Sequence, residues 1–447
     1  MIVALVVLAA TPSCGPLDLQ TALALAATRS DEVAIKNAEL MGAQADQAIA
    51  KAAGILPLSN ATFIVGPAPE AHGDVVFSPE SNRDPFRGLG PFIRVELNVV
   101  QPLWTWGALT AAKEAAQAGI EGRSLARQDT LQQVQFRVLQ TYWSVVLARR
   151  LLSLASEVEG TLNDVDKKIA ESLAAADGLV TLEDKYRVTI FRSELSQRKA
   201  EAQKGLRLAR AALAATLATT EPELQLKDET LPTSLEALVP SQVDVTGEAQ
   251  RNRPDLRALD QAVVALQAQA KASWAAQLPQ VFAVGTFAYS RAWNRDIQEN
   301  PFVTDYFNTL GGGVALGLRQ SLSFPMLHAQ ERKAQTEVVR VKSQREGLAR
   351  VVGLQAAQAL AELQAAVERH AATQAALGAG RSWFRSAGLN FGSGLSDARA
   401  LVEAYTGYAK TQVDNAQATF ELLVARGRLD QVTGKLLASG EPTCVLP

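Results

Sequence analysis

Only two cysteines, Cys14 and Cys444, occur in 447 residues, with no CxxC and no Cys/His cluster, so neither a disulfide framework nor a thiolate metal site is available. Histidines number three, and His72, His328 and His370 have no spacing that suits a metal ligand set or a catalytic triad. The chain also lacks a basic run. Its 44 Lys and Arg nearly balance 46 Asp and Glu, a formal net charge of −2, which excludes a surface built to grip nucleic-acid phosphates. Aromatic residues are sparse at 6% although 47% of the chain is hydrophobic. Beyond the N-terminus no stretch of about 18 consecutive apolar residues occurs, which leaves strands, a lipid anchor or no membrane contact at all.

The opening MIVALVVLAATPSC has an apolar core of signal-peptide length, too short to span a bilayer, without the usual basic residue ahead of it. Residues 1–16 are therefore expected to be a signal or anchor segment, with the alternatives that the true start lies upstream or that the segment is a buried helix. Cys14 stands where a lipoprotein cysteine would stand, although Thr11 and Pro12 suit such a site poorly. In an oxidising compartment it could instead pair with Cys444.

What is present is an island of alternation, FIRVELNVVQPLW, in which Ile93, Val95, Leu97 and Val99 oppose Arg94, Glu96 and Asn98. GGGVALGLRQSLS repeats it downstream, matching Val95, Leu97, Val99, Gln101 and Leu103 with Val314, Leu316, Leu318, Gln320 and Leu322. TRSDEVAIKNAEL and NRPDLRALDQAVV match in the same way, with Arg29 and Asp31 answering Arg253 and Asp255. Each leads through a helical run to Pro57 or Pro279 and then to a further alternating segment, SNATFIVG or QVFAVGTFAYS. The chain reads as a tandem duplication. Residues 17–220 form the first helix-strand-strand-helix repeat, 221–246 a proline-punctuated linker, 247–438 the second repeat and 439–447 a tail.

Helical periodicity runs from Gly107 to Asp177 without proline, carried by two stripes, one of Leu131, Val134, Val138, Tyr142 and Val145 and one of Phe136, Leu139, Trp143 and Leu147. Such a helix is about 105 Å long. Asp18–Leu56 and Thr181–Thr219 are each about half that length, and the second repeat has the same arithmetic in Met326–Ser393, Ser396–Ala438 and Gly247–Leu278. Long coiled-coil helices flanked on both sides by stacked shorter ones are expected.

Four strands of about ten residues, each with one apolar face, have the dimensions of outer-membrane barrel strands, and the polar face is then the one lining water. Ile93, Val95, Leu97, Val99, Val314, Leu316 and Leu318 are the expected lipid-facing set. Phe92, Trp293 and Phe302 on the loop side, with Trp104, Trp106 and Phe324 on the helix side, are placed as interfacial girdles. Four strands cannot close in lipid, so several chains must pool theirs.

With the repeat, the Gln101-Pro102-Leu103 strand end followed by Gly107, the run Asn252-Arg253-Pro254-Asp255-Leu256 and the turns GLVTLED and GLSDARALVEA, the sequence resembles the outer membrane efflux, TolC-like, family from Leu17 to Leu437. That resemblance implies a homotrimer whose 12-stranded barrel in the outer membrane continues into a long α-helical tunnel across the periplasm. It also implies an exit duct serving an inner-membrane pump through a periplasmic adaptor, in efflux or in type I secretion. Ser321 stands where the first repeat has Pro102. The turns at Gly178, Leu179 and Thr181 and at Gly394, Leu395 and Ser396 have the glycine and hydroxyl residues that end one helix and start the next. In the family they meet the adaptor. Glu403 falls at a position where some members of the family carry a gate carboxylate and Ala400 at a second such position, which leaves one acidic ring missing, while Asp184 occupies the place in the first repeat that corresponds to Ala400. Pointing inward they would favour cations; the alternative is ordinary surface pairing of Glu403 with Arg399 and of Asp184 with Arg187.

No residue set supports catalysis, a cofactor or a metal. Gly311-Gly312-Gly313 opens a strand and not a helix, so it is read as small residues in a barrel strand and not as a phosphate loop. The competing reading to a duct is a periplasmic coiled-coil scaffold that makes no pore, and the alternating strands separate the two, since a scaffold has no use for lipid-facing residues.

Overall fold

The computed structural model describes residues 16–55, 57–72, 88–175, 181–219, 225–228, 230–232, 245–297, 305–393, 395–396 and 398–435. Cys14, Cys444, Gly178, Leu179, Phe302 and Gly394 lie outside the described residues. In order the elements are α1 (Leu19–Arg29), α2 (Asp31–Ile55), β1 (Leu58–Ala68), β2 (Gly90–Trp104), α3 (Ala108–Ala175) and α4 (Leu182–Thr216), then α5 (Val245–Asn252), α6 (Pro254–Ala275), β3 (Gln280–Ala292), β4 (Thr309–Arg319), α7 (Phe324–Gly392) and α8 (Ala398–Val432). The same series occurs twice. At 68 and 69 residues, α3 and α7 are each about 100 Å long.

Where one opening helix was expected in each repeat there are two. α1 ends at Ser30, whose extended backbone, ψ 126°, breaks the helix while its N–H still reaches the Ala26 carbonyl. α5 ends before Arg253, and Pro254 then opens α6 at a position that needs no N–H donor. The two breaks fall within one residue of each other in the repeat alignment, yet only one contains proline.

By internal contacts the chain forms two compact units, each drawing on both repeats. One comprises Met1–Glu39, Ser124–Ala258 and Arg345–Pro447, the other Leu40–Arg123 and Leu259–Gln344. In the first unit, Leu23 and Leu25 of α1 pack with Val134, Val138, Tyr142 and Val146 of α3 and Leu213 and Leu217 at the end of α4. A parallel core joins Val245, Ala249 and Leu256 of α5 and α6 to Val352, Ala356 and Leu363 of α7 and Leu429 and Val432 of α8. Both cores follow from apolar stripes at helical spacing that no single repeat helix could cover.

Polar groups fix the register of these packed helices. Arg253 donates through Nε and Nη2 to both carboxylate oxygens of Asp255, at 3.0 and 2.6 Å, and through Nη1 to Gln355, so the start of α6 is fastened to α7. Part of the linker is drawn into the first core. Leu17 bridges Leu226, with Leu17 N–H donating to Gln225 O at 2.6 Å and Lys227 N–H to Leu17 O at 2.9 Å. Beneath this bridge the fully buried Tyr142 hydroxyl donates to the Asp228 carboxylate at 2.6 Å.

Burial, followed by the neighbouring Asp228 carboxylate, pushes the Tyr142 hydroxyl well above its ordinary pKa of 10.0. Because the folded state holds this proton more tightly than the unfolded chain, the stability it contributes is complete below about pH 10 and is lost as pH rises beyond that. Tyr142→Phe should cost about 1–2 kcal/mol near neutral pH by orphaning the Asp228 contact. In circular-dichroism melts, the variant should also show a shallower alkaline loss of stability than the parent; identical alkaline slopes would count against the assignment.

Candidate functional site

The four strands form one antiparallel sheet in the order β1-β2-β3-β4, so the two repeats meet at the β2–β3 pair. Paired residues in an antiparallel ladder share a face, and the registers therefore sort every side chain. Phe63 pairs with Val95 and Val95 with Tyr289; Ala61 pairs with Leu97, Leu97 with Phe287 and Phe287 with Gly312. Gly285 joins Val99 to Val314, and Ala283 pairs with Leu316 and Val281 with Leu318. All seven residues singled out from the alternation, Ile93, Val95, Leu97, Val99, Val314, Leu316 and Leu318, thus share one face with Phe63, Val65, Phe287 and Leu310.

That face is uncovered. Phe63, Val65, Leu310, Val314, Leu316 and Leu318 are each at least two-thirds exposed, a contiguous apolar surface that water would not tolerate. From Leu310 to Leu318 it runs roughly 27 Å along the strand at about 3.4 Å per residue, close to the roughly 25 Å apolar band of an outer-membrane barrel. One charge, Arg291, stands on it, opposite Ile93 toward the loop end.

The opposite face is mixed: it carries Asn60, Thr62, Arg94, Glu96, Asn98, Thr286, Ser290 and Arg319 together with Leu58, Ile64, Val100, Phe282 and Val284, with Gly311, Gly313 and Gly317 between them. Arg94 and Glu96, two residues apart on the same strand, form an ion pair. Gly317 leaves room for the Phe282 ring opposite it; a Cβ there would lie 2.6 Å from a ring carbon. The Arg319 guanidinium lies 5.7 Å from the centre of that same ring.

At the loop end the hairpins are knotted together. Arg295 pairs with Asp305 at 3.2 Å, with their side chains only 10% and 3% exposed, and also donates to Pro69 O at 2.8 Å. Its guanidinium covers Phe307, which packs edge-on against Phe92 at 5.1 Å. Phe92 is buried in this knot together with Ala68 and Ala292, so it is a core residue and not a girdle aromatic. Trp293 nearby is exposed.

At the helix end Trp104, Trp106 and Phe324 are all exposed. The chain turns from β2 into α3 through two left-handed residues, Trp106 at φ 53° and Gly107 at φ 85°. A tryptophan accepts that backbone because its Nε1 donates to Pro279 O at 2.7 Å and its ring meets Trp104 edge-on at 5.9 Å. No glycine or proline marks Trp106 itself, so its conformation was not legible from composition.

At the far ends of the long helices, Thr181 is exposed ahead of α4, and Leu395 is 79% exposed while its N–H donates back to Asn390 O at 2.8 Å, closing the last turn of α7. Ser396 is half-buried. Glu403 accepts from Arg399 Nε at 3.1 Å along its own helix, both side chains being well exposed. Arg187 lies 3.9 Å from Glu183, and the side chain of Asp184 lies outside the described residues. On α4, Leu182, Tyr186 and Ile190, one turn apart, are each about 60% exposed and form an uncovered apolar stripe.

Residues 245–435 match the model of the family described as outer membrane efflux protein. No curated protein matches the sequence. Among solved structures, the outer-membrane channel CmeC of Campylobacter jejuni is similar with a TM-score of 0.73 at 13% identity, over 93% of this chain and 85% of that one. The MtrE outer membrane channel of Neisseria gonorrhoeae, solved in its open state, gives 0.71 at 17% identity over 94% and 90%. OprN, also an outer-membrane channel, gives 0.72 at 17% over 93% and 89%. At these identities the likeness establishes the fold, and it spans nearly the whole of each chain.

Proposed function

We infer that this chain, whose residues 245–435 carry the outer membrane efflux protein domain, is one subunit of an outer-membrane exit duct that receives cargo from an inner-membrane pump. The observation that carries the reading is the sheet: one face apolar and bare, the other polar, and both edges, β1 and β4, open. In lipid an open edge leaves each unpaired N–H and C=O without a partner, at several kcal/mol apiece. Joining β4 of one copy to β1 of the next removes every edge. Three copies give a closed barrel of twelve strands, with the apolar set toward lipid and the polar set toward a water-filled lumen.

The helical part then extends into the periplasm, where the Leu182, Tyr186 and Ile190 stripe is left for neighbouring copies. The turns at Gly178, Leu179 and Thr181 and at Gly394, Leu395 and Ser396 are offered to a periplasmic adaptor, and Leu395 is exposed enough to serve as a contact. Glu403 and Asp184 lie close behind those turns on α8 and α4, where a constriction would hold three copies of each.

Two experiments test these assignments. Leu97→Arg places a charge in the lipid band at a cost of about 2–4 kcal/mol, whereas Asn98→Arg, one residue along, places it in water. Native mass analysis of detergent extracts should show trimers for the parent and for Asn98→Arg but not for Leu97→Arg; equal assembly of both, or a parent that is a water-soluble monomer, would refute the reading. Replacing Leu179 and Leu395 together by alanine spares the glycine backbone and should abolish export while trimers persist. Full export by that double variant would remove the tips from adaptor docking.

A further inference from the structure

The polar face of the sheet is charged unequally. Among the described strand residues it holds three ionisable side chains, Arg94, Glu96 and Arg319. Arg94 and Glu96 neutralise each other. Arg319, the last residue of β4, is exposed and forms no ion pair with a carboxylate among the described residues; its guanidinium lies over the face of Phe282. The support is built into the sheet. Phe282 lies directly opposite Gly317, the absence of a Cβ lets the ring lie down across β4, and the guanidinium two residues further along the same face settles over it. A cation held over an aromatic face keeps its full charge while losing much of its side-chain freedom.

Closure of the barrel does not supply the missing carboxylate. The strand that would join β4 is a second copy's β1, and Leu58–Ala68 contains no ionisable residue. On the other side, β3 contributes Gln280 opposite Arg319, again uncharged. We propose that Arg319, seated on Phe282, forms a ring of positive charge at the helix-side end of the barrel lumen and draws anions to that end of the duct, against the cation preference that Glu403 and Asp184 would set at the constriction. This rests on the duct reading, because only a closed barrel turns the polar face into a lumen. In a confined aqueous passage with low-dielectric walls, one unpaired guanidinium per copy raises the local concentration of anions and lowers that of cations.

The test uses the purified full-length assembly in planar bilayers, with reversal potentials measured across a KCl gradient for the parent, Arg319→Gln and Arg319→Lys. Arg319→Gln should reduce the chloride-to-potassium permeability ratio on the order of twofold, while Arg319→Lys, which retains the charge but not the planar stacking, should stay close to the parent. Equal reversal potentials for all three conducting proteins would overturn the basic ring and leave the duct standing. A parent that never forms conducting channels would overturn both. A fall in the chloride-to-potassium ratio in Arg319→Lys as large as that in Arg319→Gln would likewise overturn it, since the shift would then follow the disturbed packing and not the charge.

Discussion

The constraint on which the rest depends is that a strand edge cannot face hydrocarbon. Each bare N–H or C=O there costs several kcal/mol with no water to satisfy it, and this chain presents two such edges, β1 and β4, beside an apolar face already exposed in the single copy. Duplication within the chain accounts for the sheet only in part. It lets β2 and β3, the inner strands of two repeats, satisfy each other, but it stops at four strands. On the proposed duct reading, further copies do what the second repeat does for the first. The lengths reflect this: β2, paired on both sides, is 15 residues long, whereas β4, paired on one, stops at 11.

The two ends of the sheet are secured by different means. At the loop end a buried ion pair, Arg295 with Asp305, is supported by the Pro69 carbonyl, the Phe307 ring and the Phe307 N–H, which donates to the Asp305 carboxylate, while among the described residues the buried Arg295 Nε finds no acceptor. At the helix end a pair of tryptophans holds a left-handed turn and leaves aromatic surface at the rim. Between them the polar face is smoothed by glycines, which also permit the one cation–ring pair placed there, Arg319 over Phe282.

Much of the architecture was legible because it rests on periodicity. The alternation in β2 and β4 depends on a period of two that a strand must express, and the long runs of α3 and α7 have no proline to stop them. What could not be read depends on partners distant in sequence. At Ser30 only a serine ahead of the acidic Asp31 and Glu32 marks a new helix start, a weaker signal than Pro254 gives at the matching place. Phe92 sits at the end of a clean alternation and so looked like a rim aromatic, but Phe307 lies across it. The linker residue Leu226 has ordinary loop surroundings in sequence, and only the fold reveals its bridge to Leu17 and the Tyr142 clasp below. Arg319 likewise gives no local signal; its meaning comes from the ring opposite Gly317 and from the uncharged strand that would join it.

The central claim is that the even-numbered face of β4 meets lipid and the odd-numbered face meets water. It is tested most directly by replacing Cys14 and Cys444, introducing single cysteines in turn from Leu310 to Leu318, labelling each with a fluorophore and quenching the reconstituted protein with a lipid-borne or a water-soluble quencher. The account predicts strict alternation, with positions 310, 312, 314, 316 and 318 quenched from the lipid and 311, 313, 315 and 317 from water. Uniform quenching from water along the whole strand would contradict it.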